Sequence, residues 1–342
     1  MTTKLAETTR GGVVESVHQG VVVAANTAGE IVAHAGDPET FAFYRSSAKP
    51  FQAVPVIESG AADRFGFTPA ELALCCASHH AELRHQEQVR VMLGKLGLDE
   101  SALQCGSPLP YDQEEMARVL TGQRAPSPLQ CDCSGKHTGM LASCLALGYP
   151  IDDYLNPEHP LQRQILAIVA EVCRVQPAEL ALGTDGCSVP TFGASIGAFA
   201  RSYAALAAPE RVPEEFGGNH AAALDRLRAA MIAHPQNVSG KDSLVADVME
   251  VGEGAFVCKS GAEGLFCLGV PEAGIGIAVR IADGSFRAHG VVLCETLRQL
   301  GLATDAQIEA ILARDNPELR NHNKIHVGDI RAAFELTALT HR

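Results

Sequence analysis

Residues 13–34 read VVESVHQGVVVAANTAGEIVAH. The apolar run Val21-Val22-Val23 and the segment Ile31-Val32 flank Asn26-Thr27-Ala28-Gly29. Asn and Gly accept positive φ cheaply, so the stretch predicts a β-hairpin. Beyond it, helical spacing dominates from about residue 46 to 174, over 69–76, 86–98, 114–120 and 161–173, and an Ala-rich run at 194–206 continues it. Strand patterns broken by Gly return at 255–258, 265–268 and 275–281, followed by helical patterns at 291–300 and 305–313. Strands near both ends and helices between them predict an α/β (α+β) sandwich. An antiparallel sheet joins the N-terminal hairpin to the C-terminal strands, with flanking helices and an inserted helical lobe. The expected layout is a single catalytic unit with a sheet lobe from about 11–45 and 180–342 and a helical lobe at about 46–179. Strict strand–helix alternation is missing, which argues against a doubly wound parallel sheet. The segments before Gly11 and after about Leu339 are expected to be disordered.

The chain has 342 residues and a formal charge of −13 from 27 basic and 40 acidic side chains. That balance, with no basic run, argues against nucleic-acid binding. No segment offers the roughly 20 apolar residues of a membrane span, and residues 1–12 lack an apolar signal core. Eleven scattered cysteines do not make a disulfide framework, so a cytoplasmic protein with reduced thiols is expected.

Lysine is scarce, with seven against twenty arginines. Only lysine readily gives up its proton, which makes each unusual one informative. Ser46 and Lys49 are three residues apart, so on a helix they share a face. A serine hydroxyl needs a base, and a lysine made neutral by burial and by a helix N-terminus can serve. Pro50 is tolerated only in a first turn, which places Lys49 at a helix start. Lys259-Ser260-Gly261, entered from a strand, matches the Lys-Thr-Gly element of serine–lysine acyl-transfer enzymes, whose Ser-Asp-Asn element is absent. Ser78, in Ser78-His79-His80, reads first as a cap for the following helix. Cys133 and Cys187 lie in polar, Gly-rich surroundings unlike the other cysteines, and thiolates there suit Zn²⁺. Ser134-Gly135-Lys136-His137 fails as a phosphate loop because Gln130 and His137 stand where Gly and Ser/Thr are needed. Gly193-Ala194-Ser195-Ile196-Gly197 fits the nucleophile-elbow pattern, but its Ser reads as part of the Ala-rich helix.

Five phrases occur in one order: YRSSAKPFQAVP from Tyr44, CASHH from Cys76, CSGKHTGML from Cys133, GTDGCSVP from Gly183 and KSGAEGLF from Lys259. Together they resemble the type-II L-asparaginases of the Rhizobium etli kind, a serine–lysine family. The resemblance implies a fold similar to serine β-lactamases and glutaminases, hydrolysis of L-asparagine to L-aspartate and ammonia, and a homodimer. It implies two serine–lysine pairs in one site, Ser46 with Lys49 and Ser78 with Lys259, which replaces the capping role for Ser78. It also implies one zinc per chain on Cys133, Lys136 and Cys187, and substrate contacts from Arg45, His137 and Asp185; amide hydrolysis involves no redox step, so no organic cofactor is expected. The mechanism expected for such a site has Ser46 attack the amide carbon while neutral Lys49 takes its proton and Ser78 with Lys259 relays protons, with Ser78 as the alternative nucleophile. The sequence departs from the family after Ser78, where His80-Ala81-Glu82-Leu83-Arg84-His85 replaces a Gly-Glu-Pro type loop, and at Cys131, an extra thiol beside the implied zinc ligand. Two rival readings are a penicillin-recognising acyltransferase or β-lactamase-like hydrolase, and a zinc-stabilised protein that binds without catalysis.

Overall fold

The computed structural model describes residues 1–339. The expected disorder after about Leu339 falls on 340–342, outside the described residues. Two compact units are present: one comprises 1–47, 194–213 and 242–342, the other 48–193 and 214–241. In chain order the strands are β1 Thr3–Arg10, β2 Val13–Asn26, β3 Ile31–Ala35, β4 Phe41–Phe43, β5 Ala181–Thr184, β6 Pro190–Ser195, β7 Val257–Gly261, β8 Leu265–Val270, β9 Ile275–Ile281, β10 Glu318–Arg320, β11 His326–Ala332 and β12 Thr337–Ala338.

The first unit is built on an antiparallel sheet of order β10-β11-β1-β2-β9-β8-β7, with β3 on β2 and β12 on β3. The hairpin forms as its turn residues predict, with Asn26 N–H bonded to Glu30 O at 3.0 Å. The valine run pairs with the returning C-terminal strand, Val22 opposite Val279. Gly20 to Ala25 is buried without interruption, so both faces of the sheet are covered here. Helix Ile196–Ala207 lies against β2, β8 and β9. Gly276 permits that approach: a Cβ there would stand 2.1 Å from both Ala200 O and Ala204 N. Helix His289–Gln299 packs on β1, β9 and β11.

Two expectations are corrected. Residues 3–10 are not disordered but form β1, hydrogen-bonded between β2 and β11 with Ala6 opposite Ala332. The strand lacks an apolar run because its buried Glu7 is matched by Lys4 at 3.1 Å and by Arg331 at 2.6 Å. The helix expected from 194 starts at Ile196, and Ala194 and Ser195 end β6. Ser195 thus stands between a strand and a helix, as a nucleophile elbow requires, yet its φ of −74° is relaxed and its Oγ caps the helix by accepting Ala198 N–H at 3.3 Å.

The second unit is helical apart from the antiparallel pair β5–β6. Helix Pro69–Cys75 opens with a capping box, Thr68 with Glu71, and Pro69 in its first turn. Helix Ser134–Leu147 packs closely on it. A Cβ on Gly135 would sit 2.4 Å from Leu74 O, and one on Gly139 would sit 2.9 Å from Cys75 Sγ. These glycines are four apart, one turn along one face, so they set the contact that brings the start of this helix beside residues 76–80.

Candidate active site

Three of the seven lysines are buried: Lys49, Lys136 and Lys259. They are the three singled out by their sequence surroundings. Burying an ammonium costs several kcal/mol unless opposing charge and hydrogen bonds offset it, so the partners of each are informative.

In the helical unit Lys49 opens the short helix Lys49–Gln52 with Pro50 beside it. Its Nζ donates to Ser78 Oγ at 2.7 Å and reaches Asp132 Oδ2 at 3.4 Å. Burial pulls its pKa down, but the negative charge shared by the Cys133/Cys187 pair and that of Asp132 outweigh this and hold it above the ordinary lysine value. These charges favour the ammonium, whereas burial and a helix N-terminus were expected to favour the neutral amine. Ser78 does not cap the next helix, Leu83–Lys95, whose N-cap is Glu82. Its N–H bonds Val238 O at 3.0 Å, and His80 N–H bonds Ser239 O at 2.7 Å, so 78–80 is held extended. Between them His79 N–H bonds Asp132 O at 3.1 Å. The His79 ring, kept neutral by burial, accepts Ala81 N–H at Nδ1 and so donates from Nε2 to Ser134 Oγ at 2.9 Å. Ala81 itself has φ +60°, a strained value close to the serine.

The second group of this unit gathers thiols around Lys136. Lys136 Nζ lies 3.0 Å from Cys187 Sγ. A hydrogen bond from the Cys133 thiol, aided by the charges of Lys136 and Lys49, holds Cys187 at a pKa of about 5 against the upward pull of burial. Cys187 is carried by the turn between β5 and β6, where Ser188 takes φ +73° and Asp185 bonds Gly186 N–H at 2.9 Å. Asp185 adds its charge to those that raise the Lys136 pKa. Cys131, Asp132 and Cys133 bring their ligand atoms within 4.8 Å of one another. Apart from that cluster, Cys133, Cys187 and Lys136 are joined by the contacts above, and two thiols and an amine are a donor set that Zn²⁺ takes once the amine loses its proton, so they fit the metal the resemblance implies. His137 is fully buried and lowered to a pKa of about 3 by that burial and by Lys136. Tyr154 Oη accepts Gln104 N–H at 3.0 Å and is hydrogen-bonded to His137 Nδ1 at 2.7 Å. His137 Nε2 is buried with no hydrogen-bond partner among the described residues.

In the sheet unit Arg45 takes φ +50°, immediately before Ser46. The neighbouring Ser47 donates its Oγ proton to Lys259 O at 3.1 Å, and Tyr203 O–H donates to Ser47 O at 2.9 Å. Gly261 leaves room for this turn, since a Cβ there would meet Ser47 Oγ and Tyr44 O at 2.9 Å. Lys259 itself is buried on β7, its Nζ donating to Ser260 O at 2.9 Å.

The profile of the family described as L-asparaginase II matches residues 6–332. The chain belongs to that family. Among curated proteins nothing matches. Among solved structures, Mglu in its native form in 4.3M NaCl matches at 15% identity and a TM-score of 0.38, covering 83% of this chain and 61% of that one, so this chain spans about three fifths of its length. A Bacillus glutaminase in 4.3M NaCl matches at 15% identity and a TM-score of 0.37, covering 83% of this chain and 91% of that one. A β-lactamase from Mycobacterium bovis matches at 15% identity and a TM-score of 0.29, covering 86% and 94%. Among the described residues no helix is long and apolar enough to cross a membrane.

Within the helical unit of this family member, the structure joins Lys49 to Ser78 and Lys136 to Cys187, with Cys133 beside Cys187. Lys49, expected to serve Ser46, gives its shortest hydrogen bond to Ser78. In the sheet unit the contact with Lys259 comes from Ser47, through a backbone oxygen, and Ser46 follows the strained Arg45. The sequence reading passed over Asp132, His79 and Tyr154. Asp132 stands between Cys131 and Cys133, and nothing in that spacing pairs it with a lysine 83 residues earlier.

Proposed function

We propose that the chain is a serine–lysine L-asparaginase of the Rhizobium etli kind, which hydrolyses L-asparagine to L-aspartate and ammonia through an ester on serine. The observation that carries this reading is the 2.7 Å hydrogen bond between Ser78 Oγ and the buried Lys49 Nζ. Family membership supports amide hydrolysis. The buried, unpartnered Nε2 of His137 supports recognition of a polar group of the substrate.

In this reading Ser78 attacks, because Lys49 is held against it. Once Lys49 has lost its ammonium proton, the 2.7 Å contact reverses, with Ser78 O–H donating to the free amine. The amine takes the proton as Oγ bonds to the amide carbon, then gives it to the departing nitrogen, so ammonia leaves and an aspartyl ester remains. Water attacks the ester, Lys49 takes its proton and returns it to Ser78 Oγ, and aspartate is released. Cys133, Lys136 and Cys187 would hold Zn²⁺, whose Lewis acidity would serve to orient the amino acid's α-groups. Ser46 is the competing nucleophile and Lys259 the second lysine of the implied site.

The test is to incubate purified protein with L-asparagine and follow ammonia and aspartate, with L-glutamine, Ser78→Ala and Ser46→Ala in parallel. Equal release of ammonia and aspartate, lost in Ser78→Ala, is the expected outcome. Loss in Ser46→Ala with turnover kept in Ser78→Ala transfers the nucleophile to Ser46. No turnover of either amide by folded, metal-loaded protein overturns the reading.

A further inference from the structure

We propose that Asp132 is a positioning residue whose carboxylate holds the Lys49 ammonium in line with Ser78 Oγ, so that the chain carries a Ser78–Lys49–Asp132 relay. The inference rests on the serine–lysine reading above and adds a member that the sequence comparison does not assign. Asp132 Oδ2 lies 3.4 Å from Lys49 Nζ, and the same Nζ lies 2.7 Å from Ser78 Oγ. Lys49 has no exposed side-chain surface, and Asp132 has 22%. Lysine has a four-carbon stem and three equivalent N–H donors, so a single acceptor does not fix the direction of its Nζ. A second, charged acceptor does, because charge-assisted bonds are the stronger ones.

The other contacts of Asp132 also hold its carboxylate in place. Oδ2 lies 3.5 Å from Cys133 Sγ, and Oδ1 lies 3.8 Å from Cys131 Sγ. Its backbone O receives His79 N–H, one residue from Ser78. That last contact belongs to the main chain and survives any substitution, so side-chain variants isolate the carboxylate. The arrangement corresponds to the carboxylate, base and hydroxyl order of serine hydrolase triads, in which the carboxylate orients the base without touching the reacting atoms.

The experiment uses full-length Asp132→Asn and Asp132→Ala, each checked for thermal midpoint and metal content. Two readouts follow. The first is steady-state hydrolysis of L-asparagine. The second is the ¹⁵Nζ–¹H signal of Lys49, identified by its loss in Lys49→Arg, which is tractable with seven lysines. The expected result is a drop in kcat of about 100-fold in Asp132→Ala with KM within about twofold, a smaller drop in the isosteric Asp132→Asn, and broadening or loss of the Lys49 ammonium signal in both. A role confined to stability would lower the thermal midpoint and leave kcat and the Lys49 signal of the folded fraction unchanged. Wild-type kcat and an unperturbed Lys49 signal in Asp132→Asn overturn the proposal. So does loss of metal with the Lys49 signal intact, which would make Asp132 a ligand instead. Should the wild-type protein hydrolyse no amide, the asparaginase reading fails, and the ammonium signal alone still decides whether Asp132 orders Lys49.

Discussion

At the scale of single residues, the chemistry of this chain is concentrated in lysines that are buried and hydrogen-bonded. A surface lysine would titrate near its ordinary value, whereas Lys49 is held above it despite complete burial. Its free-amine form therefore accumulates only on the alkaline side. The kcat/KM for L-asparagine should rise steadily from about pH 7 to about pH 10, and a profile that is flat or falls over that range contradicts Lys49 as the base. Ser78→Ala should lower kcat by about 1,000-fold or more in the asparagine assay while the folded protein remains. Residue identity was the most legible level in the sequence. Lys49, Lys136 and Lys259 stood out because they sit among Gly, Ser and Cys, and Cys133 and Cys187 because their neighbours are polar. What could not be read was partnership. Lys49 is 29 residues from Ser78 and 83 from Asp132, and local spacing carries no information about either contact.

At the scale of elements, two contacts set the helical unit. Gly135→Ala puts a methyl group 2.4 Å from the carbonyl oxygen of Leu74, which belongs to a helix and cannot retreat by itself. Urea unfolding should show a loss of about 1–3 kcal/mol, with a matching fall in the transition midpoint. The second contact is His220, whose Nδ1 faces Glu58 Oε1 at 2.5 Å and whose Nε2 faces Glu171 Oε2 at 3.1 Å. It ties helices Val54–Glu58 and Pro160–Cys173 together. Burial lowers its pKa, but the two carboxylates raise it by more. With the folded value above the unfolded one of about 6.5, the stability contributed is fully present below that pH and is lost as pH rises through the folded value. His220→Gln should therefore lower the thermal midpoint clearly at about pH 5.5 and little at about pH 9. An equal loss at both would assign the contact to packing alone. Helices with strong periodicity, such as 161–173, were legible to within a residue or two. The β6-to-helix junction was not, because Ala194 and Ser195 suit an Ala-rich helix equally well and local spacing does not show where the strand ends.

At the scale of the whole molecule, the antiparallel sheet with flanking helices was legible from the hairpin at 13–34 and the strand patterns after 255. The strands β1, β10, β11 and β12 were not. They are short or polar, and their place is set by pairing across the sheet rather than by their own apolar content. Deleting residues 1–10 should do more than trim an end, since β1 lies between β2 and β11. The shortened chain is expected to lose cooperative thermal unfolding or to accumulate as aggregate, and an unchanged melt would contradict a structural role for β1. Metal removal offers a second test at this scale. If Cys133, Lys136 and Cys187 hold Zn²⁺, chelation should lower the thermal midpoint and added Zn²⁺ restore it, and Cys187→Ala should abolish the difference.

The register of β1 also bears on how the chain is made. Residue 6 is hydrogen-bonded opposite residue 332, and residue 22 opposite residue 279. A ribosome delivers the early strands of this sheet long before their partners exist. Through most of synthesis, β1 and the valine-rich β2 are exposed edges awaiting segments not yet translated. Closing such long loops late makes folding slow and leaves the nascent chain open to wrong pairings. Yield in a cell should then depend on chaperones and on growth temperature more than the stability of the finished protein suggests.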